Sequence, residues 1–154
     1  LDQAVARYRQ IYHDAVANKT SVYAGIHELL RYLEEVGVRI AVLTNKPQQA
    51  SESVVSALLK DHPFSPIIGQ TAERPIKPDP TSAFAIAESW QMPPERILYF
   101  GDTDTDMITA NRASMLAVGC AWGFRDEDEL RRFGAHWVFQ NPEDVLRWLV
   151  DPEL

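Results

Sequence analysis

Short apolar runs alternate along this chain with longer segments whose apolar residues recur every three or four positions. Residues 38–44 (VRIAVLT) form a near-continuous apolar run, which is typical of a parallel strand covered on both faces. Further strands are predicted at 65–69, 96–101, 115–121 and 136–139. Helical spacing predicts helices at 1–17, 25–36, 48–60, 81–90, 104–113, 127–133 and 142–149. This alternation predicts an α/β fold: a doubly wound parallel sheet with helices on both faces.

Composition narrows the classes of function. The 154 residues suffice for one domain, and a net charge of −7 argues against nonspecific nucleic-acid binding, which needs a basic face. No apolar run approaches the roughly 18 residues of a membrane span, so we expect no membrane partner. Cys120 is the single cysteine, which excludes an internal disulfide and favours a reducing compartment, so we expect a cytoplasmic protein. We expect Cys120 to be a buried small residue and not a nucleophile.

Polar residues follow three of the predicted strands or lie in a loop beside them. Ligands of open α/β sheets bind at the carboxyl ends of the strands. Thr44 and Asn45 come at the end of one strand, where a hydroxyl and an amide suit an oxyanion, although each could instead cap the next helix. Lys77 lies in the proline-rich loop RPIKPDP, where a stiffened backbone would hold its ammonium against an anion; a solvated loop lysine is the alternative.

The stretch GDTDTD places three carboxylates directly behind a predicted strand. Asp102 and Asp106 are four residues apart and are predicted to converge on one point, where carboxylates with room for water suit Mg²⁺. The alternative is that Asp102 or Asp104 caps the helix that follows. An EF-hand is excluded, because its glycine position would be Met107. Together the three signals predict a site for a phosphorylated ligand and a divalent cation.

These motifs resemble those of the haloacid dehalogenase superfamily, and of its phosphoglycolate phosphatases in particular. VLTNKP resembles the second motif of that family, KPDP the third and YFGDTDTDM the fourth, and the resemblance runs over residues 23–149. It implies a Rossmann-like core and a Mg²⁺-dependent phosphomonoester hydrolase that forms an aspartyl-phosphate. Thr44 and Asn45 would then bind the phosphoryl group, and Lys77 would neutralise the negative charge of the nucleophile and the phosphate. Asp102 and Asp106 would hold Mg²⁺. Thr44, Lys77 and Asp102 would be the catalytic residues.

One motif of the family is missing from the chain. No apolar strand ending in Asp-x-Asp, which would supply the nucleophile, precedes Thr44. In the family that strand lies centrally, between the strands predicted at 38–44 and 96–101, so we expect both to have unpaired edges. We therefore predict that residues 1–20 are the last helix of a helical cap and that residues 21–154 are a core without its first strand. We expect the chain to be the latter part of a longer protein and inactive by itself.

Other functions fit the same residues. A noncatalytic binding module derived from a phosphatase, or another phosphotransferase of the superfamily such as a phosphoglucomutase, would keep much of the same pattern. A receiver-like regulatory domain is disfavoured, because GDTDTD follows the lysine loop. We expect a small phosphorylated metabolite as the ligand, with a homodimer as one possible assembly.

Overall fold

A computed structural model of the protein describes residues 20–151. The strands are β1 (Ile40–Pro47), β2 (Phe64–Gln70), β3 (Leu98–Gly101), β4 (Leu116–Cys120) and β5 (Trp137–Phe139). The helices are α1 (Ile26–Glu35), α2 (Gln48–Leu58), α3 (Thr81–Trp90), α4 (Asp104–Arg112), α5 (Glu127–Arg132) and α6 (Pro142–Val150). The helix predicted at 1–17, and with it the predicted cap remnant, lies outside the described residues. No helix within the described range is long and apolar enough to cross a membrane.

All strand pairings are parallel, which confirms the predicted α/β class, but the strands form two sheets. β1 pairs with β2, and β3, β4 and β5 form a second sheet in that order. The register aligns Gly101 of β3 with Gly119 of β4, so these strands end side by side. Within residues 20–151 no backbone pairing joins β1 to β3. Each of these two strands therefore has one unpaired edge, as the missing-strand argument leads us to expect.

The main hydrophobic core lies under the three-stranded sheet. It joins Ala83 and Ala87 of α3 to Tyr99 of β3, Met107 of α4 and Leu130 of α5. Residues 117–120 of β4 are all buried, whereas residues 40–46 of β1 are only half-buried. The prediction that the apolar run at 38–44 is covered on both faces is therefore wrong for the described structure. β1 also has a strand neighbour on one edge only within the described residues.

Several element boundaries differ from the predicted ones by a few residues, and two of these differences have a local cause. β1 runs past the predicted end to Pro47, because its pairing with β2 continues to Pro47 opposite Gln70. Arg96, the first residue of the strand predicted at 96–101, instead ends a 3₁₀ turn at Pro94–Arg96, because its backbone N–H donates to the Pro93 carbonyl oxygen at 3.0 Å. The carboxyl end of β3 is unaffected, and that end leads into the acidic stretch.

Candidate functional site

The ends of β1 and β3 open into a cleft of about 460 Å³. Its lining residues are Thr44, Asn45, Lys46, Pro47, Lys77, Asp102, Thr103, Thr105, Asp106 and Phe124. All five residues predicted from the sequence to form a site are among them. The structure thus brings the three separate motifs to one place, while the chemical roles assigned to these residues stay predictions.

Lys77 is nearly buried at the bottom of this cleft. Its Nζ lies 2.6 Å from Asp106 Oδ1 and donates a second hydrogen bond to the Leu43 carbonyl oxygen at 3.3 Å. The side chains of Lys77 and Asp106 are 12% and 8% exposed. The alternative of a solvated loop lysine is therefore wrong. The ammonium bridges the unpaired edge of β1 to the acidic stretch behind β3.

Asn45 holds the lysine loop in place. Its Oδ1 accepts a hydrogen bond from the Lys77 backbone N–H at 2.8 Å, and its Nδ2 donates to the Lys77 carbonyl at 3.0 Å. Thr44 Oγ1 accepts from the Lys46 backbone N–H at 3.1 Å, which leaves the hydroxyl proton of Thr44 as a donor toward the cleft. Neither residue caps α2, whose N-cap is Pro47 without a side-chain hydrogen bond. The helix-capping alternative for Thr44 and Asn45 is therefore wrong.

Both carboxylate oxygens of Asp106 already have partners. Oδ1 binds Lys77, and Oδ2 accepts hydrogen bonds from the Thr103 hydroxyl at 2.6 Å and the Thr103 backbone N–H at 3.2 Å. Thr103 Oγ1 in turn accepts from the Asp106 backbone N–H, so the two residues form a capping box at the start of α4. A Cβ on Gly101 would lie 2.2 Å from the Asp106 Cβ, so only glycine allows this approach.

Thr103 and Asp106 therefore cap α4. The alternative prediction, that Asp102 or Asp104 caps this helix, is wrong. Sequence reasoning missed Thr103. The signal was present in the order Thr103-x-x-Asp106, a threonine followed three residues later by an acid just before an apolar helix face.

Thr103→Ala is expected to destabilise the protein by about 1 kcal/mol, because the N-cap hydroxyl and its bond to Asp106 are lost together. Urea unfolding of the two proteins measures this difference. Thr105→Ala is the matched control, since the Thr105 hydroxyl has no hydrogen bond within residues 20–151. Equal midpoints for the two variants would show that the capping box contributes nothing.

Asp102 differs from Asp106 in having an available oxygen. Its Oδ2 accepts a hydrogen bond from the Phe124 backbone N–H at 3.1 Å, and its Oδ1 has no partner within the described part of the chain. No cluster of three or more histidine, cysteine or acidic residues among residues 20–151 could enclose a metal. Mg²⁺ needs no such enclosure, because it keeps several waters and takes one or two carboxylates plus phosphate oxygens. The available oxygen of Asp102 therefore fits a divalent cation such as Mg²⁺.

Two buried residues lie close to these carboxylates. Burial, and then the negative charge of Asp106, raise the pKa of the Tyr99 hydroxyl above its ordinary value. That hydroxyl is buried and has no hydrogen-bond partner in the described structure. Burial, followed by the charges of Asp102 and Asp106, raises the pKa of the Cys120 thiol to about 12. Cys120 is therefore a core residue that carries almost no thiolate near neutral pH.

Cys120 is accordingly expected to resist alkylation by iodoacetamide from pH 7 to pH 9 in the folded protein. The raised pKa keeps the thiol protonated throughout this range, and burial excludes the reagent. In urea the thiol should react and its rate should rise through the ordinary pKa of cysteine, about 8.5. Mass spectrometry of timed samples gives both rates. Fast labelling of the folded protein at pH 7 would contradict this placement of Cys120.

Comparison with known proteins agrees with the motifs. The sequence profile of the haloacid dehalogenase-like hydrolases matches residues 1–120. A phosphoglycolate phosphatase of Haemophilus influenzae is 30% identical over 144 residues, which cover 94% of this chain and 64% of that protein. A phosphoglycolate phosphatase of Pseudomonas syringae is 31% identical over 128 residues, covering 80% of this chain and 47% of that relative.

The fold has counterparts among solved structures. A protein of Haemophilus somnus described as a predicted phosphoglycolate phosphatase superposes with a TM-score of 0.82 at 28% identity, over 90% of this chain and 61% of that chain. This chain thus spans less than two thirds of the length of these relatives. The profile match, the identity to curated phosphatases and the shared fold together show that the chain belongs to the haloacid dehalogenase-like hydrolase family.

Proposed function

We propose that this protein forms the core of a Mg²⁺-dependent phosphomonoester hydrolase that acts on phosphoglycolate or a similar small phosphorylated metabolite. The observation that carries the proposal is the cleft itself. It holds a nearly buried ammonium, a hydroxyl donor and a carboxylate with an available oxygen, each at the end of a different segment of the chain. The phosphoglycolate phosphatases among its relatives support this substrate class.

Each cleft residue has a role that its contacts support. Thr44 donates its hydroxyl proton to a phosphoryl oxygen, and Lys77 offsets the negative charge that gathers on the phosphoryl group. Asn45 fixes the backbone of the lysine loop, so its contribution to phosphate binding is mainly to place Lys77. Because both oxygens of Asp106 are engaged, its role is to orient Lys77, with any contact to the cation made through water.

Asp102 is the residue that would hold Mg²⁺ directly, through its Oδ1. The cation, when bound, would supply positive charge to the phosphoryl oxygens. Asp102 directly follows the carboxyl end of β3, which lies beside the end of β4. The pairing of these two strands therefore sets its position. The residues of the other cleft loops would bind the phosphate beside Asp102.

The nucleophile must come from outside the described cleft. Asp102 and Asp106 are the only acids that line it within residues 20–151, and neither is placed as a nucleophile, since one is assigned to the cation and the other is bound to Lys77. We propose that a strand ending in Asp-x-Asp lies between β1 and β3 and delivers an aspartate beside Lys77. The half-buried β1 and the unpaired edges of β1 and β3 support a missing neighbour there.

Phosphate release from phosphoglycolate and from p-nitrophenyl phosphate, with Mg²⁺ and with EDTA, tests this function. We expect no Mg²⁺-dependent turnover from the chain alone. We expect turnover from a longer form in which an apolar strand ending in Asp-x-Asp precedes residue 1. Equal, Mg²⁺-dependent rates for the two forms would contradict the proposed source of the nucleophile.

A noncatalytic binding module is the second candidate, favoured by the absence of a free nucleophile in the described cleft. It predicts that Mg²⁺ and inorganic phosphate bind, yet that the longer form releases no phosphate from any monoester. A phosphoglucomutase would instead interconvert glucose 1-phosphate and glucose 6-phosphate without net phosphate release, which a separate assay of the longer form with glucose 1-phosphate measures. The cytoplasmic location and the homodimer remain predictions, and light scattering of the purified protein measures the second.

A further inference from the structure

The turn that follows β4 approaches Asp102 unusually closely. An ideal Cβ on Gly123 would lie 2.3 Å from both the Cβ and the Oδ2 of Asp102, so no other residue fits without movement. The φ of Gly123 lies outside the left-handed region, so its backbone conformation is open to alanine. The need for glycine here is therefore one of space beside Asp102.

The same turn donates a hydrogen bond to that carboxylate. The backbone N–H of Gly123 closes the turn on the Cys120 carbonyl at 3.1 Å, and the next N–H, of Phe124, binds Asp102 Oδ2 at 3.1 Å. Phe124 is 82% exposed, so core packing of its ring does not place the turn. The contacts that fix it are backbone contacts to the end of β4 and to Asp102.

We propose that this turn, residues 122–124, is a positioning element for Asp102: it binds Oδ2, excludes other orientations of the carboxylate and leaves Oδ1 directed to a divalent cation. The inference rests on the proposed function, because it assigns the turn to the cation site. The alignment of Gly101 with Gly119 explains why the turn lies beside Asp102, since the segments that follow β3 and β4 begin side by side. An outer partner of this kind fixes the orientation of a metal-binding side chain.

A double-mutant cycle in urea tests the contact itself, without metal. Gly123→Ala should lower the urea midpoint, because the new methyl group meets Asp102. Asp102→Gly removes all three atoms that the new methyl group would meet. In that background, Gly123→Ala should change the urea midpoint little. Equal shifts in both backgrounds would overturn the proposed contact.

Isothermal titration with Mg²⁺ tests the consequence. Phe124→Pro removes the N–H donor, and Phe124→Leu is the matched control that keeps it. We expect Phe124→Pro and Gly123→Ala to weaken Mg²⁺ binding at least about tenfold, the loss usual for an outer partner, and Phe124→Leu to stay close to the unchanged protein. Circular dichroism of each variant shows that the fold persists.

The outcomes separate the two proposals. Equal Mg²⁺ affinity in Phe124→Pro, Gly123→Ala and Phe124→Leu overturns the positioning role. If the unchanged protein binds no Mg²⁺, the assignment of Asp102 to a cation fails, and the positioning role fails with it even when the urea cycle shows the contact. Coupling in the cycle together with selective loss of Mg²⁺ affinity supports both.

Discussion

Replacing Lys77 with methionine is expected to destabilise the protein by about 3–5 kcal/mol, the usual cost of removing one partner from a buried ion pair. The methionine keeps most of the apolar stem but leaves the Asp106 carboxylate buried with no cation beside it. It also removes the hydrogen bond to the Leu43 carbonyl at the unpaired edge of β1. Urea unfolding followed by tryptophan fluorescence measures the change.

Lys60→Met is the matched control, since Lys60 is exposed and the same substitution there should change stability little. Adding Asp106→Asn to Lys77→Met should recover part of the loss, because the uncompensated charge is removed while Thr103 can still donate to the amide oxygen. If Lys77→Met lowers the midpoint no more than Lys60→Met does, the ion pair is not a stabilising element of the fold.

Asp102→Asn is expected to weaken Mg²⁺ binding by at least about tenfold, since losing even an outer partner of a metal site has that effect. The substitution keeps the shape of the side chain and an oxygen that accepts from the Phe124 N–H. What it removes is the negative charge of the carboxylate, one oxygen of which has no partner within the described residues. Isothermal titration with Mg²⁺ measures the affinity directly.

Asp104→Asn makes the same change of charge two residues away and is the control. Asp104 lies in the first turn of α4 and does not line the cleft. Its replacement should alter Mg²⁺ affinity by no more than about twofold, with a small loss of helix stability from the dipole of about 0.3–1 kcal/mol. Equal losses in both variants would mean that Mg²⁺ responds to the general negative potential of GDTDTD and not to Asp102.

The periodicity of apolar residues in the sequence predicted the parallel α/β fold. The polar residues at or near the carboxyl ends of the predicted strands predicted which side chains line the cleft. Both follow from rules that act locally: an apolar run forms a strand, and parallel strands present their carboxyl ends at one edge. That is why Thr44, Lys77 and Asp102 were placed in one cleft although they lie far apart in the chain.

The partners of the site residues were not predictable in the same way. That Asn45 would pair with the backbone of Lys77, and that Asp106 would bind Lys77, depends on side-chain geometry across segments that the sequence does not order. The half-buried state of β1 was also missed, because an apolar run looks the same whether or not a neighbouring strand covers its second edge.

The most direct test of the proposed site is a ¹H–¹⁵N NMR titration of this protein with Mg²⁺ and inorganic phosphate together. The proposed site predicts the largest amide shifts at Thr44, Asn45, Lys77 and Asp102. It predicts little change along β5, the edge strand of the three-stranded sheet that is farthest from β3. Shifts confined to residues outside the cleft, or no shifts at saturating ligand, would contradict the claim that these residues form one site for a cation and a phosphoryl group.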